Sequence, residues 1–212
     1  MEIRRLTEAD KPSANYIASL AFMCGQRQVD WADDPNQADF VAYGAFDERG
    51  LQAETVILDH RVQMGPDVTL PMGGIAGVAS LPAARGRGYV GALLRRSLEH
   101  MREAGQPVSA LFPFSFAFYR RLGWEWVGVE RRYSVSPQIL EASPEARRCR
   151  QATPEDRPAI AATYKQFSKG YRGMLDRDEK LWAKLLDDAP NCYTVTFVCE
   201  GREGIEGYLT YR

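Results

Sequence analysis

The run from Gly73 to Gly88 limits the folds open to this chain more than any other stretch. It reads Gly73-Gly74-Ile75-Ala76-Gly77-Val78-Ala79-Ser80-Leu81-Pro82-Ala83-Ala84-Arg85-Gly86-Arg87-Gly88. Gly73 to Leu81 is apolar and rich in small residues, which reads as a strand packed closely against its neighbours. Arg85 to Gly88 follows as a basic, glycine-containing turn. Leu94, Leu98 and Met101 then share one helical face, and Gly105 is placed as a C-cap. A strand, a tight turn and a helix N-terminus together present backbone N–H groups that can hold a phosphate, and the helix dipole adds to the attraction. Gly86 and Gly88 carry no side chains, so a pyrophosphate could approach the backbone closely. Arg85 and Arg87 add positive charge, and Arg95 and Arg96 lie further along the helix. A Walker loop is excluded because no Gly-Lys-Ser/Thr follows, and a GxGxxG at the first strand is absent.

The rest of the chain alternates strands and helices, which predicts an α/β fold with at least one crossover connection. Strands are expected at Ile3–Leu6, Phe40–Phe46, Thr55–Met64 and Val108–Phe112, and a closing strand region at Trp124–Val135. Thr7 to Asp10 is a capping-box pattern, and Ile17, Leu20, Ala21 and Cys24 give the following helix an apolar face. Asp47-Glu48-Arg49-Gly50 is a turn signal. Ser115 to Leu122 reads as a short helix stopped by Gly123. Residues 137–147 read as a linker between a first domain, 1–136, and a second segment, 148–212. The second segment restarts the first. At a constant shift of 146 positions, Arg4, Thr7, Asp10 and Pro12 fall on Arg150, Thr153, Asp156 and Pro158. It continues with strands at Tyr193–Cys199 and Ile205–Tyr211 and has no counterpart of the Arg-Gly-Arg-Gly turn.

Composition narrows the function classes. The chain has 212 residues, 45% of them hydrophobic, so it can bury a real core. Its net charge of −1 argues against a dedicated nucleic-acid partner. No apolar run reaches membrane-spanning length, and the acidic start is unlike a secretory leader. Four cysteines, Cys24, Cys149, Cys192 and Cys199, show no CxxC spacing, so a cytoplasmic location with reduced thiols is the expectation. With two histidines, His60 and His100, no metal centre is expected and a Ser-His-Asp hydrolase has little support.

The turn block resembles the pyrophosphate pattern Arg/Gln-x-x-Gly-x-Gly/Ala of the GNAT superfamily of acetyl-CoA-dependent N-acetyltransferases. Arg85, Gly88 and Val90 hold the three defined positions, Val90 being bulkier than the pattern asks. Phe118-Tyr119-Arg120-Arg121-Leu122-Gly123-Trp124 resembles the superfamily's Phe-Tyr-x-x-x-Gly-aromatic block. Leu70-Pro71 and Leu111-Phe112-Pro113-Phe114-Ser115 are similar to the enhanced intracellular survival (Eis) subgroup of bacterial acetyltransferases. The resemblance implies a GNAT-type mixed central sheet with flanking helices, followed by the beginning of a second GNAT-like repeat.

The resemblance also implies acetyl-CoA as co-substrate, held by Val78, Ala79, Ser80, Arg85, Gly86, Arg87, Gly88 and Tyr89. Tyr119 would act as general acid. The acceptor would be a primary amine, on a small polycationic molecule or a lysine, attacking directly while both substrates are bound. Trp31, Asp33, Phe114 and Trp124 are candidate acceptor contacts. No carboxylate lies on Gly73–Leu81 to serve as general base, and the subgroup's own base lies in a later domain. A non-catalytic acyl-CoA-binding or scaffold module, or a fragment of a longer enzyme, is the alternative reading. A half-built second repeat would leave an apolar sheet edge, which leads to the expectation of a homo-oligomer.

Overall fold

The computed structural model describes residues 1–22, 40–131, 134, 136, 138, 143–187 and 193–211. The chain divides into two compact units. One comprises Met1–Val62 and Thr69–Glu125, the other Gln63–Val68 and Trp126–Arg212.

The first unit contains a five-stranded sheet in the order β1-β2-β3-β4-β5. Its strands are β1 (Glu2–Arg5), β2 (Phe40–Asp47), β3 (Gly50–Gly65), β4 (Val68–Ser80) and β5 (Val108–Leu111). β1 pairs antiparallel with β2, and β2 with β3 across Glu48-Arg49. Pro66-Asp67 joins β3 to β4, a link too short for anything but a hairpin. β4 and β5 run parallel, and helix α2 (Tyr89–Glu103) makes the crossover between them. The sheet is therefore mixed and mostly antiparallel, with helices α1 (Lys11–Phe22), α2 and α3 (Phe116–Arg120) flanking it.

Two apolar clusters fill the two sides of this sheet. Leu93, Leu94 and Met101 of α2 pack with Tyr43, Ala45, Ala53, Ile57 and Ile75. Ala14 and Ile17 of α1 pack with Leu51 and Ala79. Side chains alternate along a strand, and Gly44, between Tyr43 and Ala45, points the other way. A Cβ at Gly44 would meet Leu6, Leu51 and Phe46 of the α1 cluster.

Two elements differ from the sequence expectation. The buried face of α1 is Ala14 and Ile17, whereas Leu20 is 44% exposed. Trp124–Arg131 forms no strand: Trp126, Val127 and Val129 are exposed, and no neighbouring strand among the described residues takes their backbone groups.

In the second unit β6 (Cys149–Gln151), β7 (Val195–Glu200) and β8 (Ile205–Tyr211) form an antiparallel sheet. Helices α4 (Arg157–Ser168) and α5 (Glu179–Leu186) supply Ile160, Tyr164 and Trp182 to a core with Val198. The Gln63–Val68 hairpin tip belongs to this unit: the Gln63 N–H donates to the Met174 carbonyl (2.7 Å), and the Gly173 N–H to the Gln63 carbonyl (2.8 Å). β1 and β6 each lead into the same local structure. Arg4 pairs with Asp10 at 2.7 Å and Arg150 with Asp156 at 2.6 Å. Thr7 and Thr153 each open a capping box on that aspartate.

Candidate active site

β4 extends to Ser80, but β5 pairs only with Met72–Ile75. Gly77 takes φ +57° just beyond the last paired residue. A Cβ there would crowd Val56 Cγ2 at 3.1 Å, so glycine allows both the turn and the close approach. From Ala76 to Ser80 this edge of β4 meets no strand among the described residues. An unpaired strand edge offers alternating N–H and C=O groups to whatever lies beside it. Val78 packs against the α2 cluster and Ala79 is buried in the α1 cluster.

The open edge leads directly into the turn. Pro82–Ala84 form one 3₁₀ turn, and α2 starts at Tyr89. Gly86 (φ +74°) and Gly88 (φ +85°) are both left-handed, and beyond the adjacent residues no atom of the described chain lies within 4 Å of where a Cβ would stand on either. Arg85 and Arg87 are exposed beside them. The first N–H groups of α2 have no partner within the helix, so the turn can receive an anion through backbone groups.

Tyr89 plays a different part from its neighbours. Its ring is in the core, and its hydroxyl donates to Asp47 Oδ2 at 2.7 Å. The backbone N–H of Arg49 reaches the other oxygen of Asp47 at 2.9 Å, and Arg87 and Arg49 each lie 3.8 Å from the carboxylate. The Tyr89 hydroxyl, the Arg49 N–H and the two guanidinium groups lower the Asp47 pKa. Tyr89 thus pins the start of α2 to the β2–β3 turn, and only its backbone faces the anion position. Arg96 is also committed: it bonds Glu99 and Glu103, and it stacks over Tyr43.

Tyr119 is 3% exposed on α3, a helix capped by the Ser115 hydroxyl, which accepts from the Phe118 N–H. Phe114, Phe118 and Trp124 surround it at ring-centroid distances of 5.1, 5.3 and 6.1 Å. Burial pushes its phenol up to about 12. The Trp124 indole N–H donates to Ser109 Oγ at 3.1 Å, and that hydroxyl donates to the Gly73 carbonyl at 2.8 Å. The aromatic group is therefore tied to β5 and β4 where the two strands still pair.

The structure brings Val78, Tyr119, Phe114 and Trp124 to one cluster or its margin. It sets Arg85, Gly86, Arg87 and Gly88 together at the turn. Trp31 and Asp33 lie outside the described residues. Among the described residues no group of three or more His, Cys, Asp or Glu could hold a metal ion. One residue at this site escapes sequence reading. Glu54 on β3 is 2% exposed, its Oε2 has no hydrogen-bond partner among the described residues, and burial pushes its carboxyl up to about 8.

Residues 2–127 match the family model described as an acetyltransferase (GNAT) domain. The match covers more than half of the chain, which belongs to this acetyltransferase family, whose members use acetyl-CoA as co-substrate. No curated protein matches the chain. Among solved structures, it resembles a probable N-acyltransferase from Enterococcus faecalis V583 (TM-score 0.74, 21% identity, covering 100% of this chain and 55% of that one). A GCN5-related N-acetyltransferase from Kribbella flavida gives TM-score 0.71 and 24% identity over 99% of this chain and 54% of that one. Eis1 from Mycobacterium abscessus gives TM-score 0.67 and 19% identity over 100% and 54%. At these identities the likeness speaks for the fold. The chain spans about half the length of each of these structures.

Proposed function

We propose that the chain is an N-acetyltransferase that transfers the acetyl group of acetyl-CoA to a primary amine, with both substrates bound at once. One observation carries this reading: the open edge Ala76–Ser80 leads without interruption into the Arg85–Gly88 turn, and Tyr119 belongs to the cluster on which Val78 packs. In this reading the backbone of Val78, Ala79 and Ser80 holds the extended amide-bearing arm of the co-substrate. Its N–H groups also stabilise negative charge developing on the thioester oxygen. Gly86, Gly88 and the first N–H groups of α2, at Tyr89 and beyond, take the pyrophosphate, with Arg85 and Arg87 adding charge.

Tyr119 keeps its proton throughout the neutral range and gives it to the departing thiolate, whose ordinary pKa is about 8.5. Holding both reactants in place supplies much of the rate. Phe114 and Trp124, beside Tyr119, form the acceptor-side aromatic wall, and Trp31 and Asp33 are further acceptor contacts. The acceptor is a small polycationic amine or a lysine side chain. The Eis-like sequence blocks support that subgroup, and the sequence character supports a cytoplasmic setting. Residues 1–136 form the acetyl-CoA-binding domain and 148–212 a second GNAT-like segment without a counterpart of the Arg-Gly-Arg-Gly turn.

Calorimetric titration of acetyl-CoA into the purified chain and into an Arg85→Ala, Arg87→Ala double variant tests the reading. Saturable binding that weakens about 10-fold or more in the variant is expected, since charge-assisted contacts contribute roughly 1.5–3 kcal/mol when intact. A folded chain that binds no acetyl-CoA overturns the reading. Binding without turnover of any amine would make this an acyl-CoA-binding module instead.

A further inference from the structure

We infer that Glu54 takes up the proton of the attacking amine, through one bridging water, from the side of β4 opposite Tyr119. The inference rests on the acetyltransferase reading and supplies the base that reading lacks. Glu54 pairs across β2–β3 with Gly44, whose Cβ direction leads into the α1 cluster. Cross-strand partners share a face, so Glu54 lies on the α1 side. Tyr119 lies in the α2 cluster. The Leu81 N–H donates to the Gln52 carbonyl at 2.9 Å, and this register sets Ala79 beside Glu54. Gln52 to Val56 is the stretch of β3 behind the open edge of β4, and Glu54 is its one titratable residue.

Adjacent strands are about 4.8 Å apart, so an arm lying along the open edge of β4, two spacings away, is about 10 Å from the Glu54 backbone. The side chain spans part of that distance and a single water completes it.

A carboxylate is almost never buried unless it is paired. The described groups on this side include Gly44, Ala79, Ala14, Ile17, Leu51 and Val56, and none of them is charged. Burial holds the Glu54 proton more tightly, and among the described residues no charged group contributes. The unpaired Oε2 gives Glu54 an open acceptor site that packing does not require. Elsewhere near the turn, Asp47 is occupied by Tyr89 and Arg49. His60 lies close to Gly74, where β4 is still paired with β5.

An ammonium group passes one proton through water to the Glu54 carboxylate. The amine lone pair forms the N–C bond as the thioester C–S bond breaks, and the electron pair leaves on sulfur. Tyr119 protonates that sulfur and regains a proton from the nitrogen, and Glu54 releases its proton to solvent. The products are the amide, CoA thiol and one proton.

The test compares wild type, Glu54→Gln and Glu54→Asp. CoA release is followed from pH 6 to 10 with acetyl-CoA and either an α-N-blocked lysine amide or 1,5-diaminopentane, and acetyl-CoA binding is measured in parallel. Glutamine matches the shape of the neutral carboxyl, so Glu54→Gln should fold and bind acetyl-CoA as wild type does. We expect wild-type kcat/KM to rise through a limb near pH 8. Glu54→Gln should lose that limb and about 100-fold of the rate at high pH, and Glu54→Asp should recover part of both. Wild-type turnover whose limb and rate survive in Glu54→Gln overturns the Glu54 assignment and leaves the acetyltransferase reading intact. Failure of the wild type to bind acetyl-CoA overturns that reading and this assignment together.

Discussion

Tyr119 and Glu54 are both buried acids whose protons are held more tightly by the same cause, yet the consequences differ. The shift keeps Tyr119 a donor at every assay pH, so Tyr119→Phe should cost about 100-fold or more in kcat. Steady-state kinetics beside calorimetry should find acetyl-CoA affinity nearly unchanged, and a comparable loss of affinity would mean the phenol holds the co-substrate instead. The same direction of shift puts Glu54 within the physiological range. Its folded value, about 8, lies above its ordinary one of 4.5. The stability it allows is therefore fully present below pH 4.5 and lost as pH rises through 8. Glu54→Gln should accordingly stabilise the fold at pH 8.5, by ~2 kcal/mol, and change little at pH 4.5. Urea unfolding at the two pH values checks the sign, and equal effects at both would show that the carboxyl is not held neutral. Tyr119 was legible because a residue-type block surrounds it. Glu54 was not, because the strand is expected to start at Thr55, which leaves the acid before it outside any expected element. Only the 16-residue length of β3 and its register with β2 show Gln52, Glu54 and Thr55 buried in succession.

At the scale of elements, the strand–turn–helix from β4 to α2 was readable because each part has its own signature: small residues, positive-φ glycines and a 3.6-residue apolar period. The departure of β5 from β4 had no such signature, since it depends on β5 having four residues and β4 thirteen. The closing strand expected over Trp124–Val135 is absent from Trp124–Arg131 for a related reason, and residues 132, 133 and 135 lie outside the described residues. Alternating apolar residues favour a strand only where a neighbouring strand takes the backbone groups, and among the described residues no strand pairs with Trp124–Arg131. Gly88→Ala tests the turn. At φ +85° the substitution should cost about 1–2 kcal/mol, and its methyl would enter the space assigned to pyrophosphate, weakening acetyl-CoA about 10-fold or more. Gly91→Ala is the matched control: the residue is helical, a Cβ there meets nothing, and the fold should gain about 0.5–1 kcal/mol. Equal acetyl-CoA affinity in the two variants would remove the turn from the binding site. The Arg4–Asp10 pair offers a pH test of its own. Arg4, then the Thr7 cap, hold Asp10 well below the usual carboxylate range. The stability this gives is present above the ordinary value of 3.8 and is lost as pH falls below it. Asp10→Asn should cost ~1 kcal/mol at pH 7 and less at pH 3, and a pH-independent cost would deny the ion pair its role.

For the whole molecule, the question is how far a ligand on one unit is felt by the other. Everything assigned to acetyl-CoA, from Val78 to Gly88 with Tyr119, belongs to the first unit, while the core of Ile160, Tyr164, Trp182 and Val198 belongs to the second. β3 and β4 belong to both, because their hairpin tip is held by Met174 and Gly173 in the second unit. Two hydrogen bonds contribute ~1–3 kcal/mol between them. A ligand at 100 times its Kd adds about 2.7 kcal/mol to whatever unfolds as one body with its site. The stabilisation belongs to the unit that carries the site. Hydrogen exchange with and without saturating acetyl-CoA should therefore show slowed amides in β4 and α2, a smaller slowing at Gln63 and Gly173, and none in β7 and β8. Equal slowing in β7 and β8 would mean that the two units unfold as one. An unchanged α2 would mean that the ligand does not sit at the Arg85–Gly88 turn.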